Sequence, residues 1–251
     1  MLAIPGKAID HDLARGLHDA TPGQPRRLDD DRPSGLSVLL TCRPLLIFAV
    51  CVALFHLANA AMLPLVGQKL ALQDKNTGTS LMSACIVAAQ IVMVPMALLV
   101  GAKADLWGRK PLFLLGFAVL TIRGSLYPLS DSALWLVGVQ LLDGVGAGIY
   151  GAIFPIIVAD LMRGTGRFNV AQGMVITAHG IGAACSTTLA GLLVVHVGYS
   201  AAFLTLAAVA AAGLALYAFG MPETAAYTNT NAHSSSADAA IAAPPVKIAA
   251  E

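Results

Sequence analysis

The chain has 251 residues, of which 57% are hydrophobic and only 12% charged, and its formal net charge at pH 7 is +1. A water-soluble domain of this length carries far fewer apolar residues, so the composition predicts an all-α integral membrane protein. The nearly neutral charge excludes the strongly basic face that nucleic-acid binding needs. We therefore expect the lipid bilayer as a partner, and no nucleic acid.

The first 43 residues contain six acidic and six basic residues and no long apolar run. This composition predicts a solvated polar arm in the cytosol. A spanning helix needs about 20 mostly apolar residues, because the hydrocarbon core is roughly 30 Å thick. Six stretches meet this requirement, and they lie at about 45–66, 80–100, 111–129, 133–158, 171–195 and 199–220. Residues 221–251 are small and polar and predict a disordered cytosolic tail.

The positions of Lys and Arg predict the orientation, because these residues are retained on the cytoplasmic side. With the amino terminus inside, seven cations near the spans lie inside and two lie outside. The inside set is Arg32, Arg43, Lys103, Arg109, Lys110, Arg163 and Arg167, and the outside set is Lys69 and Lys75. Both termini are therefore expected in the cytosol, and the turn between the second and third helices faces the same side.

That turn, "GAKADLWGRK" at residues 101–110, gathers several charges between two apolar runs. Gly101 and Gly108 permit tight backbone conformations, and Asp105 can pair with Arg109 or Lys110 or lie at a helix amino terminus. On charge alone, a solvated loop explains these residues. The spacing of the residues adds a second interpretation.

The pattern of Gly101, Asp105, Gly108, Arg109 and Lys110 resembles the loop signature G-x-x-x-D-x-x-G-R-K of the major facilitator superfamily of secondary transporters. Three further stretches resemble a bacterial subgroup of that family: 55–65 its helix seven, 142–151 its helix ten, and 159–173, with Asp160, Arg163 and Arg167, the loop between its helices ten and eleven.

The resemblance implies a fold and a missing partner. Family members have twelve helices in two halves, and every match points to the carboxyl-terminal half. The implied fold is a six-helix half bundle with a three-plus-three inverted repeat, and residues 1–43 correspond to the connector between halves. Because substrate crosses between two halves in this family, a second six-helix half is an expected partner, either another chain or a copy of this one.

Polar residues inside the predicted spans are the candidates for coupling, because a charge at the bilayer centre costs about 2.5 to 3.5 kcal/mol. Asp143 and Arg123 lie at depths that allow an ion pair, which either fastens two helices or lets Asp143 exchange a proton or contact a cationic substrate. His56 and Asn59 share one helix face. These two, together with Gln90, Gln140 and His179, either line an interior path or simply bond neighbouring helices.

No motif predicts an enzyme, a metal site or a cofactor. The four cysteines show no C-x-x-C spacing and are interpreted as reduced, small apolar residues. The resemblance implies secondary transport in a bacterial inner membrane, and we expect ion-coupled efflux of a small organic molecule through Asp143. Two alternatives stay open: a non-transporting fragment or scaffold, and a half-transporter that needs a second half.

Overall fold

The computed structural model describes residues 42–74, 76–163 and 165–225. The regular structure in these residues is helical: α1 (Arg43–Asn59), α2 (Met62–Gln73), α3 (Gly78–Trp107), α4 (Arg109–Leu126) with a 3-10 turn at Tyr127–Leu129, α5 (Ala133–Leu161) and α6 (Phe168–Gly220). The predicted all-helical class is confirmed. Residues 1–41 of the predicted arm and 226–251 of the predicted tail lie outside the described residues.

Five helical segments in the described ranges are long and apolar enough to cross a membrane: Arg43–Gln73, Gly78–Trp107, Arg109–Leu129, Ala133–Leu161 and Phe168–Gly220. The last has 53 residues, or about 80 Å at 1.5 Å per residue. Its backbone is not helical throughout, because Gly198 has φ 87° and ψ 172°. Glycine adopts a positive φ without steric cost, and this residue falls in the gap between the fifth and sixth predicted spans.

The first spanning segment is interrupted between α1 and α2. Pro64 explains the interruption, because its ring clashes with the carbonyl four residues earlier, at Ala60. The freed backbone N–H of Ala61 donates to Oγ of Ser186 at 3.0 Å, inside the protein. A polar side chain of α6 thus satisfies a backbone group that lipid would leave unpaired.

The stretch 101–110 is mostly helix, which corrects the prediction that a turn begins after a span ending at about residue 100. Helix α3 continues through Gly101 to Trp107, and within the stretch the chain leaves helical geometry at Gly108, where φ is 83°. Nothing between Ala102 and Trp107 breaks a helix, whereas a glycine just beyond the last helical residue is a common helix stop. The connection between α3 and α4 is therefore a single residue.

The helices pack in pairs, α1 against α6 and α3 against α5, and α4 contacts both α5 and α6. Glycines set the closest approaches. A Cβ added at Gly148 would meet the backbone oxygen of Met93 in α3 at 2.7 Å, and one at Gly182 would meet the backbone of Ala53 in α1. Small residues at these positions let the helix backbones approach closely, as is typical of helix packing in membranes.

Candidate functional site

Arg123 lies in the packed interior of the bundle, with 1% of its surface exposed. Its guanidinium forms an ion pair with Asp143 of α5 and donates a hydrogen bond to Oδ1 of Asn59 at 2.7 Å. Nε2 of Gln140 donates to the second oxygen of Asp143 at 2.9 Å, and the hydroxyl of Tyr127 donates to Gln140. We call Arg123, Asp143, Asn59, Gln140 and Tyr127 the Arg123 cluster.

The Arg123 cluster is incompletely bonded and partly open. Nε of Arg123 has no hydrogen-bond partner in the part of the chain that the structure describes. The side chain of Asp143 is 20% exposed, compared with 2% for Arg123. A buried ion pair is costly unless its remaining donors are satisfied, and an exposed carboxylate can exchange protons with water. The acid is therefore the more exposed member of this ion pair.

His56 and His179 form a second polar group, the histidine pair, in contact with Tyr150. The two imidazole rings are stacked with their centroids 3.3 Å apart and their planes within 6°. The ring of Tyr150 meets His56 edge-on, with centroids 4.7 Å apart, and its hydroxyl lies 3.4 Å from Nδ1 of His179. The predicted His56 and His179 are thus brought together across α1 and α6.

The Arg123 cluster and the histidine pair lie along the same helix faces. His56 and Asn59 are three residues apart on α1, and Asp143 and Tyr150 are seven residues apart on α5, so each pair shares one face. The Arg123 cluster and the histidine pair are therefore neighbours along α1 and α5. Asn59 is the last residue of α1, directly before the break at Ala60, which places the Arg123 cluster where the helix is interrupted.

A third group, the signature cluster, lies where α3 meets α4. Arg109 is 6% exposed, and its guanidinium bonds Asp105 at 2.7 Å, Asp160 at 3.0 Å and the carbonyl oxygen of Ala104 at 3.2 Å. Asp160 comes from the end of α5, so three helices meet through one guanidinium. The predicted Asp105, Arg109 and Asp160 are therefore in direct contact.

Glu223 completes the signature cluster from the segment after α6. Its two carboxylate oxygens accept the backbone N–H groups of Arg109 and Lys110, at 2.9 and 3.0 Å. These are among the first amides of α4, which lack partners within the helix and lie at the positive end of its dipole. A Cβ added at Gly108 would meet the carboxylate of Glu223 at 2.8 Å, so this glycine makes room for the cap.

The remaining predicted residues lie outside these groups. Gly101 is exposed within α3, and a Cβ added there meets nothing within 4 Å. Arg163 and Gln90 are exposed. Arg167 precedes the first residue of α6, and its backbone N–H donates to Thr165.

Three contact residues were missed by the sequence reasoning, namely Glu223, Tyr127 and Tyr150. Glu223 was placed in the tail, and no local signal reveals its role, because the helix start that it caps lies 114 residues earlier in the chain. Met221 and Thr224 beside it are buried. Tyr150 could have been found from its spacing of seven residues from Asp143. Nothing in the sequence distinguishes Tyr127 from an ordinary aromatic at a helix end.

The opposite end of the bundle carries its own polar contacts. Lys69 of α2 forms an ion pair with Asp131, and Nε2 of Gln73 donates to the backbone oxygen of Asp131 at 2.6 Å. Asp74, between α2 and α3, accepts the N–H of Asn76 and the hydroxyl of Thr77, each at 2.8 Å. These hydrogen bonds lower the pKa of Asp74 below its usual value, and the bond from the backbone N–H of Asn76 has the larger effect.

Comparison with known proteins decides the family. The model of the Major Facilitator Superfamily matches residues 48–248, most of the chain. The chain belongs to the Major Facilitator Superfamily. It is 60% identical to an uncharacterized MFS-type transporter of Mycobacterium tuberculosis, found in strains CDC 1551 and H37Rv. The 223 aligned residues are 89% of this chain and 52% of that protein.

A more distant superfamily relative is the tetracenomycin C resistance and export protein of Streptomyces glaucescens. It is 31% identical over 106 residues, which cover 41% of this chain and 19% of that protein. The chain spans about half the length of the mycobacterial relatives that it matches. Membership of the superfamily and the apolar helices establish an integral membrane protein of a transporter family.

Proposed function

We propose that the chain supplies one half of an ion-coupled exporter of small organic molecules, with the Asp143 carboxylate as the proton-exchanging group. The observation that carries this proposal is the Arg123–Asp143 ion pair. The side chain of the arginine is buried, whereas that of the acid is 20% exposed. Proton uptake by Asp143 removes the negative charge that holds Arg123, so the pair is a contact that a proton can open. The export protein among the relatives supports the direction of transport.

We also propose that the bundle makes six passes. About 80 Å of helix far exceeds a hydrocarbon core of about 30 Å, so α6 has to cross twice, with its turn at Gly198. Three spans up to the end of α4 and three from α5 onward then form the two repeats. The positive-inside rule places the signature cluster and both termini in the cytosol, in a bacterial inner membrane.

A second six-helix half is the proposed partner, because the chain spans about half the length of the mycobacterial relatives. The exposed face of α6 supports this pairing. Gly173, Gly180 and Gly191 share one face, and a Cβ added at each would meet nothing within 4 Å. Thr177 and Thr188 are exposed beside them. Small residues let helices approach closely. Such packing matters in lipid, because the burial of apolar surface does not drive helices to associate there.

Dye export from cells or everted vesicles tests the coupling. We expect export of a fluorescent organic cation that a protonophore abolishes, and we expect Asp143→Asn to remove the protonophore-sensitive part. Asparagine keeps an oxygen that accepts from Arg123, so the variant should remain folded. Asp131→Asn is the matched control, because it neutralises an exposed acid at the far end of the bundle and should behave as wild type. Unchanged coupling in Asp143→Asn would end the proposal.

The same assay separates the rival interpretations of a half-length chain. If wild type is abundant in the membrane but exports nothing, the chain is a non-transporting fragment or scaffold, or a half that needs another chain. A cysteine introduced at Thr177, with the native Cys42 and Cys185 replaced by Ser, tests the remaining case, in which a copy of this chain is the second half. Crosslinking to a dimer of fixed geometry, with none from a cysteine at the exposed Phe219, indicates a self-copy as the second half.

A further inference from the structure

The histidine pair is a close contact between two titratable groups of the same kind, and the Asp143 mechanism does not use it. His56 is 8% exposed, and its Nε2 has no hydrogen-bond partner among the described residues. Buried polar atoms in native proteins almost always have a partner, so this nitrogen calls for an explanation. Its ring lies flat on that of His179, with centroids 3.3 Å apart, and joins α1 to α6.

We propose that the histidine pair is a proton-binding site separate from Asp143, and that its second proton separates α1 from α6. A neutral stacked pair can accept one proton and keep its geometry, with the charge on one ring. Two imidazolium rings cannot stay stacked at this distance, because like charges inside a low-dielectric bundle repel strongly. The inference deepens the proposed function by naming a second proton site, but its chemistry does not depend on transport.

The surroundings of the histidine pair supply no counter-charge for a second proton. From α5, the titratable neighbour is Tyr150, whose ring and hydroxyl contact the two imidazoles. From α4, Arg123 reaches Asn59, one turn along α1 from His56, and it is paired with Asp143. None of the ion pairs between described residues includes either imidazole. The doubly charged pair therefore has repulsion and no compensating anion.

The contacts of α1 show where a separation would act. Gly182, between His179 and Ser186 on α6, lies against the backbone of Ala53, and Ser186 accepts the N–H of Ala61 in the break after α1. Asn59 immediately precedes this break and accepts from Arg123. If α1 moves away from α6, Asn59 moves with it and Arg123 loses an acceptor. Protons on the histidine pair would then loosen the Arg123 cluster.

Distance measurements on the full chain in lipid nanodiscs test this inference. Cys185 on α6 is exposed and takes one spin label, and Val50→Cys on α1, where the native side chain is 43% exposed, takes the other. Cys42 is replaced by Ser, and the buried Cys51 and Cys85 stay unlabelled. We expect one short distance at pH 8 and a second, longer population at pH 5. Identical distributions at both pH values would overturn the proposal.

Variants assign the response to the imidazoles. His56→Phe keeps a ring in the stack but takes no proton, so the longer population should disappear, and His179→Phe should do the same independently. Tyr150→Phe is the matched control, since it removes a hydroxyl and leaves both imidazoles, and it should keep the response. A full pH response in either folded histidine variant would contradict the proposal. Because no transport is measured, loss of coupling in Asp143→Asn and loss of this response are separate results.

Discussion

Arg109 and Arg123 are both almost fully buried, with 6% and 1% of their surfaces exposed, but their partners differ. Arg109 has two carboxylates and a backbone carbonyl as acceptors, and its own amide is capped by Glu223. Arg123 has one carboxylate and one amide oxygen, and its Nε has no partner in the described ranges. The guanidinium of Arg109 thus has three acceptors, two of them charged, whereas that of Arg123 has two, one of them charged.

This difference separates a fastening from a contact that can change. Losing one acceptor leaves Arg109 with others, and Asp105 lies at the surface, where its side chain is 87% exposed and water can replace it. Arg123 depends on Asp143, and no second carboxylate among the described residues pairs with it. A pair of this kind suits a step that opens and closes, because the loss of a single charge changes its energy most.

The largest effect is expected from Asp143→Leu, which leaves the buried guanidinium without an anion. Breaking a buried ion pair from one side typically costs about 3–5 kcal/mol, because the remaining charge stays uncompensated. Unfolding in mixed detergent and dodecyl sulfate micelles gives the free energy of unfolding. We expect the double variant Asp143→Leu with Arg123→Leu to recover most of the loss. A double variant as unstable as the single one would show that the pair is not the source.

A smaller loss is expected from Arg109→Met at the signature cluster. The methionine fills much of the arginine's volume but removes its charge-assisted hydrogen bonds to Asp160 and Asp105. Water near the helix ends can bond to these carboxylates instead, which offsets part of the loss. We expect the free energy of unfolding to fall by about 2–3 kcal/mol. Lys110→Met is the control, since a change at the neighbouring cation should stay within about 0.5 kcal/mol. Equal losses in both variants would contradict a specific role of the Arg109 hydrogen bonds, because any positive charge at this place would then stabilise the protein equally.

Replacing the cap of α4 should have a more local effect. Glu223→Ala removes the acceptor of the Arg109 and Lys110 amides, and the loss of a side-chain cap costs about 1 kcal/mol. Hydrogen exchange at these two amides measures the cap directly, and both should exchange faster than in wild type. Glu223→Gln keeps the oxygen acceptor but loses the charge at the helix dipole. Its exchange rates at the two amides should therefore lie between those of wild type and those of Glu223→Ala. Unchanged exchange in the alanine variant would contradict the cap.

The contrast between the two clusters also shows what the sequence could predict. Long apolar runs predicted membrane-spanning helices, because length and apolar composition determine such a helix, although the described residues contain five such segments where six were predicted. The depths of Arg123 and Asp143 predicted their pairing. The acceptors of Arg109 were less accessible: Asp105 is four residues away on adjoining helices, but Asp160 and Glu223 are distant in sequence. Contacts of that kind depend on how helices pack, and composition carries no record of it.

The same limit applies to the histidine pair. His56 and His179 were each identified as candidates, yet their stacking depends on Gly182 drawing α6 onto α1. Gly198 presents the reverse case. This glycine lies in the gap between the fifth and sixth predicted spans, and its positive φ is the local cause of the break in α6. The sequence therefore predicted local features and the pairing of Arg123 with Asp143 on consecutive helices, but not the contacts between helices that are distant in the chain.

The smallest effect is expected at Gly101, and it distinguishes this residue from Gly108, the second glycine of the signature. Gly101→Ala should leave stability unchanged or raise the free energy of unfolding by up to about 1 kcal/mol, because alanine is the better helix former and its Cβ meets open space. Gly108→Ala should instead lose about 1–2 kcal/mol, since an L side chain is strained at positive φ, and more as its Cβ meets Glu223.

Unfolding measured for both variants in the Glu223→Ala background sharpens this comparison, because that background removes the side-chain atoms that a Cβ at Gly108 would meet. If backbone strain dominates at Gly108, the penalty for alanine stays when the side chain of Glu223 is removed. If the contact with Glu223 dominates, the penalty falls while Gly101→Ala is unaffected. A loss of stability in Gly101→Ala would contradict the open surroundings of that residue, and it would show that this face of α3 is covered in the membrane by something other than lipid.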